Sequence, residues 1–343
     1  MKPFVILFTP LLVFEKIIKL MEIMDVFELS QTSIRVLACI KYSRRRIQPI
    51  QLLKGEKCWA ISVFEKKEKN VQLVIRLKTE KVENGVMRQL KIEDSVIDKT
   101  EKELSCLIHG NSKEEDIDIH MVHLFNYLSD IFNNKNITLW IRPFRIITSH
   151  FLFSNLHFES CKFLKIVGKE NDILSNDNVS RLLEALQPSF GITLSCPVEE
   201  GFQPENLLSP PRLLVSNAKC FSFDDLLKTG CEVACLKNHS FTEEDVKMFI
   251  KHWMNGSNPK LMHLRLDGFN LIPNWENILE GIEVLDEGKR RRPKSFKIHY
   301  VYRIEEIDCQ NGLDFKRRTD GKIRSVVHHS NILDFLVWHD LHA

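Results

Sequence analysis

Histidine pairs are the residues of this chain whose spacing comes closest to that of a metal site. His120 and His123 are three residues apart, and His328 and His329 are adjacent. Neither pair comes with nearby cysteines or carboxylates at the spacing that a zinc site demands, so we interpret all four as surface or half-buried side chains. The sequence also contains no glycine-rich phosphate loop, no Gly-x-Ser-x-Gly turn and no His-Glu-x-x-His helix. We therefore expect a protein that is not an enzyme and that has no metal or cofactor.

Nine cysteines are spread along the chain from Cys39 to Cys309, without the regular spacing of a disulfide framework. An odd number in this irregular pattern indicates reduced, mostly buried thiols and a cytoplasmic or nuclear protein. Cys231 and Cys235 have no second pair of ligands beside them, so we interpret both as core residues.

Two short basic runs are the sharpest charge features of the sequence. They are Lys289-Arg290-Arg291-Arg292 and Arg44-Arg45-Arg46. A nuclear-import signal or a nucleic-acid contact uses residues of this kind. The formal net charge of only +2, however, lacks the basic surplus of a general nucleic-acid binder. We expect both runs to be solvated.

Composition and patterning together predict an α+β fold in three regions. Of 343 residues, 43% are hydrophobic and 27% are charged, which is typical of a folded chain with two or three structural units. Residues 1–46 show helical spacing, residues 47–150 combine an antiparallel sheet with a helix, and residues 151–343 alternate strands with helices. We treat these three regions as the predicted domains.

Apolar spacing predicts three short helices in residues 1–46. The first follows Pro10, the second is capped by Asp25, and the third follows Thr32 and Ser33. Their apolar surface exceeds what so small a core can hide, so a partner should cover part of it. The proline and the charged residues that soon follow it argue against a signal peptide or a bilayer span.

These helices resemble an F-box. The resemblance lies in the Pro10-Leu11 opening, the helix with Phe14, Ile17, Ile18 and Leu20, Asp25 before the second helix, and Leu29-Ser30-x-x-Ser33 before the third. It implies docking on the Skp-type linker protein of a cullin-RING ubiquitin ligase. The residues that it assigns to linker contact are Pro10, Leu11, Phe14, Ile17, Leu20, Leu29 and Leu37.

The middle region is predicted to begin as a sheet. Residues 58–92 alternate in a way that predicts an antiparallel meander, with a third strand near residues 87–92. Residues 93–115 are polar and poorly patterned, so we expect mostly loop there with one short helix. A helix is predicted over residues 116–132, and a strand over residues 137–141.

From about residue 150 the chain alternates strands with helices at spacings of roughly 20 to 30 residues, the range of leucine-rich repeats. Strands are predicted at residues 163–167, 192–195, 213–215, 233–236 and 261–266, and helices at residues 179–186, 223–227 and 242–254. Thr242 can cap the last of these helices, because three acidic residues follow it. We expect an irregular, leucine-rich-repeat-like sheet that ends in a β-hairpin, with Asp320-Gly321 as its turn.

Two stretches of this third region are similar to the F-box-associated domain (type 2) of nematode F-box proteins. The core motif runs from Phe241 through Phe249, Trp253, Gly256 and Pro259 to Leu261. The tail consists of Leu279-Glu-Gly281-Ile282, Phe315-Lys-Arg317-Arg318-Thr-Asp320-Gly321 and Phe335-Leu-Val337-Trp338. The same residues also have a purely structural interpretation. The aromatic ones are core residues, and Gly256 with Pro259 ends a helix.

Together the two resemblances imply a non-catalytic substrate adaptor of a Skp–cullin–F-box ubiquitin ligase, whose C-terminal domain holds a protein target. Strand alternation predicts that Leu264 and Leu266 point inward and that His263, Arg265 and Asp267 are exposed, which makes the last three our candidate target contacts. Two alternatives remain open. One is an interaction module that works outside any ligase and keeps the N-terminal helices as support, and the other is a nucleic-acid-associated protein that uses a basic run.

Overall fold

The structure is a computed structural model. It describes residues 10–43, 45–55, 58–65, 71–78, 87–92, 95–101, 107–111, 116–146, 155–269, 272–285, 292–299 and 304–342. The helices are α1 (Leu11–Leu20), α2 (Ile23–Ser30), α3 (Ile34–Tyr42), α4 (Ile117–Phe132), α5 (Asn176–Leu186), α6 (Phe223–Lys228), α7 (Glu243–Met254) and α8 (Trp275–Ile278). Both helices and sheets are extensive, so the α+β class is confirmed.

The strands run through almost the whole length of the chain. They are β1 (Ile50–Lys54), β2 (Cys58–Phe64), β3 (Val71–Lys78), β4 (Met87–Ile92), β5 (Ser95–Glu101), β6 (Leu107–Asn111), β7 (Asn136–Ile141), β8 (Ser160–Val167), β9 (Gly191–Ser195), β10 (Arg212–Val215), β11 (Val233–Lys237), β12 (His263–Asp267), β13 (Ser295–His299), β14 (Ile304–Asp308), β15 (Leu313–Lys316), β16 (Lys322–His329) and β17 (Ile332–His342).

The chain divides into two compact units. Unit 1 comprises Met1–Leu164 with Ala185–Gln187, and unit 2 comprises Lys165–Glu184 with Pro188–Ala343. The division into regions 1–46, 47–150 and 151–343 stays a prediction.

Unit 1 begins with the three expected helices. Helix α3 begins directly after Ser33, as predicted, and the Ser33 hydroxyl caps it by accepting a hydrogen bond from the Val36 N–H at 3.2 Å. The predicted cap of α2 is wrong: the helix begins at Ile23, and Asp25 lies in its first turn. The apolar stripe of α2 starts before Asp25, and an acidic residue in the first turn still interacts favourably with the helix dipole.

The first basic run is not a solvated cluster. Arg44 lies outside the described residues and Arg46 is exposed, but Arg45 is buried. The Arg45 guanidinium donates to the backbone carbonyls of Ile18 and Met21 at the end of α1, and it forms an ion pair with Glu65 at 3.0 Å. The burial of Arg45 could not be predicted from the sequence, because its partners Ile18, Met21 and Glu65 lie about 20 to 27 residues away along the chain.

The sheet of unit 1 has the strand order β7-β1-β2-β3-β6-β5-β4. The antiparallel pairing of β2 with β3 confirms the first part of the predicted meander. The third predicted strand exists as β4, but it pairs with β5, while β3 pairs in parallel with β6. The loop predicted over residues 93–115 is wrong, since it contains β5 and β6. These two strands were missed because backbone hydrogen bonds hold them in the sheet, and backbone pairing does not require the apolar alternation by which strands are predicted.

The sheet of unit 2 has the order β9-β10-β11-β12-β17-β16-β15, and β9 to β12 are parallel. The predicted strands of this region and its three predicted helices are all present, with small shifts at their ends. The C-terminal hairpin is confirmed as well, because β15 pairs with β16 and Gly321 adopts a φ of +73° in the turn. The leucine-rich-repeat-like character stays a prediction.

Helix α7 packs on one face of this sheet, and aromatic residues predicted to lie in the core form the contact. The ring of Phe335 on β17 lies 5.5 Å from Phe249 and 5.8 Å from Trp253, and all three side chains are buried, as is Trp338. Gly256 follows the helix with a φ of +108°, which confirms its left-handed role at the helix end.

The second basic run also contains a residue whose side chain is buried. Lys289, Arg290 and Arg291 lie outside the described residues, but Arg292 forms a buried ion pair with Asp314, with Nε and Oδ1 2.7 Å apart. The prediction of a solvated run is therefore wrong for Arg292. Within the described ranges, no helix has the length and apolar character needed to cross a bilayer.

Candidate interaction surfaces

Apolar side chains stand exposed on the outer faces of α1 and α3. Leu12 and Leu20 are 74% and 87% exposed, and Ile34 and Tyr42 are 86% and 73% exposed. In each helix the two side chains are eight residues apart, which places them on one stripe. Exposed apolar side chains that cluster on a surface are typical of interaction sites, so we treat these two stripes as a candidate interaction surface.

The inner faces of the same helices explain why these side chains point outward. Phe14 and Ile18 are buried in α1, and Val36 and Ile40 are buried in α3. Residues four apart lie on the same face of a helix, so the buried pair of each helix defines the face that packs against the core. The exposed apolar side chains lie on the opposite face, which contacts no core.

The helical unit is also fastened to helix α4 of unit 1. The Tyr127 hydroxyl shares hydrogen bonds with Ser30 and Gln31, and its ring packs edge-on against Phe27 with the centroids 6.3 Å apart. Lys41 of α3 forms an ion pair with Asp130 at 2.8 Å. The N-terminal helices thus share contacts with the rest of unit 1, while their outer stripes stay exposed.

The seven residues predicted to contact the linker differ in exposure. Pro10, Leu11 and Leu20 are exposed, and Ile17, Leu29 and Leu37 are half-buried. Phe14 is buried in the core of unit 1, so its side chain supports α1 and offers no surface to a partner.

Sequence reasoning missed Leu12, Ile34 and Tyr42, which are among the most exposed apolar side chains of the helices. The signal that could have found them is the spacing of residues 34, 38 and 42. This spacing places Ile34 and Tyr42 on the helix face opposite the buried Val36 and Ile40.

The predicted target contacts of unit 2 lie on β12. His263 is fully buried, so the predicted exposure of this residue is wrong; Arg265 and Asp267 are half-buried. The β13–β14 hairpin covers this face of the sheet, with Phe296 and Ile298 in one apolar cluster with residues of β11, β16 and β17. Helix α7 covers the opposite face, so both faces of β12 are covered.

A network of buried and half-buried polar groups lies on the face of β12 beneath the β13–β14 hairpin. The His263 Nε2 and the Asp334 Oδ1 are 2.7 Å apart, and Arg265 donates to both carboxylate oxygens of Asp334, at 2.7 and 3.1 Å. Arg265 also donates to Glu305 on the hairpin, and Cys235 interacts electrostatically with the imidazole. These bonds satisfy charges that would otherwise be costly to bury.

The pKa values of this network follow from its hydrogen bonds. Burial alone would lower the pKa of His263, but hydrogen bonds with Asp334 and Cys235 outweigh burial and raise that pKa to about 9. Burial alone would raise the pKa of Asp334, but hydrogen bonds with His263 and Arg265 outweigh burial and lower it. His263 is therefore a cation near neutral pH, paired with an ionised Asp334.

Cys235, His263 and Asp334 lie next to one another in the arrangement that a catalytic nucleophile, its base and an orienting carboxylate would have. Both the thiol and the imidazole are buried beneath the hairpin, so a substrate has no route to them in this conformation. We interpret the network as a fold determinant that connects β11, β12 and β17 with the hairpin.

The other predicted structural roles of histidine and cysteine agree with the geometry. His328 and His329 are exposed, His120 and His123 are half-buried, and Cys231 is buried. Across the part of the chain that the structure describes, no three His, Cys, Asp or Glu side chains are arranged to hold a metal ion.

Comparisons with known proteins identify one segment of the chain. Residues 206–266 match the model of the F-box associated family, and this segment contains β10, α6, β11, α7 and most of β12. The match does not reach the N-terminal helices or the tail motif, whose resemblances stay predictions. No solved structure shows a significant match to this chain.

Two proteins of Caenorhabditis elegans are similar to parts of the chain. An uncharacterized protein is 24% identical over 191 residues, which are 54% of this chain and 43% of that protein. The E3 ubiquitin-protein ligase hecw-1 is 29% identical over 86 residues, which are 25% of this chain and 7% of that ligase. The chain thus spans less than half the length of either relative. What the comparisons show is that residues 206–266 are similar to the F-box associated family.

Proposed function

We propose that this protein is a substrate-recognition adaptor of a Skp–cullin–F-box ubiquitin ligase. The observation that carries the proposal is the combination, in one chain, of an F-box-associated domain at residues 206–266 with a three-helix unit whose outer faces expose Leu12, Leu20, Ile34 and Tyr42. The similarity of one segment to a ubiquitin ligase supports the same pathway.

In this proposal the helices dock on the Skp-type linker protein and unit 2 holds a protein target. The chain itself performs no chemistry. It raises the effective concentration of target lysines near the conjugating enzyme that the ligase recruits. All eight described cysteines are free thiols, which supports a cytoplasmic or nuclear location.

A ligase-independent interaction module is the second candidate. The contacts of α2 and α3 with α4, through Tyr127 and Lys41, favour it, because they show that the helices also support unit 1. The nucleic-acid alternative is weakened, because the side chains of Arg45 and Arg292 are buried in ion pairs and are not available to contact phosphates.

Binding to the purified Skp-type linker tests the proposal. The informative variant is Leu12→Asp combined with Leu20→Asp, because both side chains are exposed and their loss leaves the core intact. Ile272→Asp is the matched control, since Ile272 is 72% exposed and lies in unit 2. Phe14→Asp is unsuitable, because a buried carboxylate would unfold α1 whether or not a linker binds there.

We expect the wild type and the Ile272→Asp variant to bind alike, and the double variant to bind at least about a hundredfold more weakly. Thermal melting should show all three proteins equally folded. Absence of linker binding by the folded wild type would contradict the adaptor function and favour the ligase-independent module.

A further inference from the structure

A partly open cavity of about 290 Å³ lies in unit 2, where two loops meet. One loop joins α6 to β11 and the other joins α7 to β12. Because β11 and β12 are parallel neighbours, the loops that precede them converge at the same edge of the sheet. Both loops belong to the F-box-associated domain.

Asn258 joins the two loops and leaves one polar atom without a partner. Its side-chain Nδ2 donates to the carbonyl oxygens of Leu227 at 3.2 Å and Thr229 at 2.7 Å. Its Oδ1 is buried and, among the described residues, has no hydrogen-bond donor. Because Asn258 bonds to two carbonyls at the end of α6 and in the first loop, it holds the two loops together at the cavity.

The charged residues that line the cavity are both lysines. Lys228 and Lys260 line it and are exposed, and no carboxylate is among its lining residues. Arg317 donates to the carbonyl oxygen of Ser257 at 2.7 Å, next to Asn258, and is itself paired with Asp320 at 3.6 Å. Leu227 and Leu261 supply apolar wall, so the cavity combines an apolar interior with a cationic border.

We infer that this cavity binds an acidic peptide segment of the target that carries an apolar side chain. The apolar side chain enters the cavity, and the neighbouring carboxylate lies near Lys228 and Lys260. The inference deepens the proposed target-holding role. Its test needs no linker protein, so failure of linker binding and failure of peptide binding are separate results.

The test uses two fluorescein-labelled peptides with the same leucines, one with glutamates between them and the other with lysines. Fluorescence anisotropy at low ionic strength reports their binding to the full chain. One variant combines Lys228→Glu with Lys260→Glu, and Lys219→Glu is its control, because Lys219 is exposed and does not line the cavity.

A second variant, Gly230→Val, narrows the cavity without changing charge. A Cβ at Gly230 would meet only the Leu208 carbonyl oxygen, at an ordinary contact distance of 3.4 Å, and Gly230 is not among the positive-φ glycines. Thermal melting checks that each variant is folded.

We expect the glutamate peptide to bind the wild type about tenfold more tightly than the lysine peptide, and the double lysine variant to reverse this preference. Gly230→Val should weaken binding of the glutamate peptide, and Lys219→Glu should change neither affinity. Equal affinity of the wild type for the two peptides, lack of binding by both, or an unchanged preference in the folded double variant would overturn the inference.

Discussion

Arg45 gives the end of α1 the hydrogen-bond donors that the helix itself cannot provide. Its guanidinium donates to the carbonyls of Ile18 and Met21 and pairs with Glu65, all within unit 1. The last carbonyls of a helix have no intrahelical partner, and a basic side chain is one way to satisfy them.

Arg45→Met should therefore lower the free energy of unfolding by about 2 kcal/mol, because a buried charged donor is lost while its acceptors remain. Arg46→Met is a close control, since Arg46 is the next residue and is exposed. Urea denaturation of both variants measures the difference. Equal stability of the two variants would show that the Arg45 bonds contribute nothing net.

His263 predicts a pH dependence of stability. Its pKa is raised from 6.5 to about 9 in the folded protein by Asp334 and Cys235, against the effect of burial. The stabilisation is therefore fully present below about pH 6.5 and is lost as the pH rises through about 9, by at most about 3 kcal/mol.

His263→Gln should remove this part of the pH dependence. Urea denaturation between neutral and alkaline pH should show a smaller decline in stability for the variant than for the wild type. Other groups that titrate in this range act in both proteins, so the comparison isolates His263. Parallel declines would contradict the raised pKa.

At the scale of elements, α7 is held at its start by a reciprocal pair of hydrogen bonds. The Thr242 hydroxyl accepts from the Asp245 N–H at 3.2 Å, while the Asp245 carboxylate accepts from the Thr242 N–H at 2.8 Å. We expect Thr242→Ala to lower stability by about 1 kcal/mol and Ser240→Ala, at an exposed neighbour, to have little effect. Thermal melting compares the two; a similar shift for both would rule out a capping contribution.

Local signals account for the elements that sequence analysis predicted well. α7 has a cap at Thr242, an acidic first turn and apolar residues at helical spacing, and each of these is visible within one segment. β5 and β6 lacked such signals and were missed. The burial of His263 depends on Phe296 in a separate hairpin, and alternation along β12 alone does not reveal that hairpin.

At the scale of the whole molecule, buried thiols are present in both units. Burial raises the pKa of Cys161 in unit 1 to about 12, that of Cys196 in unit 2 to about 12, and that of Cys231 in unit 2 to about 11. A protonated, inaccessible thiol reacts slowly with alkylating reagents.

We expect iodoacetamide to leave these three cysteines unmodified in the native protein near neutral pH and to modify all three in denaturing urea. Peptide-level mass spectrometry reads out each site, with the half-buried Cys39 and Cys58 as internal references. Modification of Cys161 alone under native conditions would show that the fold of unit 1 opens more readily than its burial indicates.

During synthesis on the ribosome, β12 must wait for its antiparallel partner β17. The parallel strands β9 to β12 leave the ribosome first, and one edge of β12 is then still unpaired. Its antiparallel partner β17 begins at Ile332, roughly 65 residues after β12 ends at Asp267. At about 5 to 20 residues per second, this edge waits some seconds for its neighbour. A nascent chain that stalls within this interval would present an open sheet edge, which makes it a natural client for a holding chaperone.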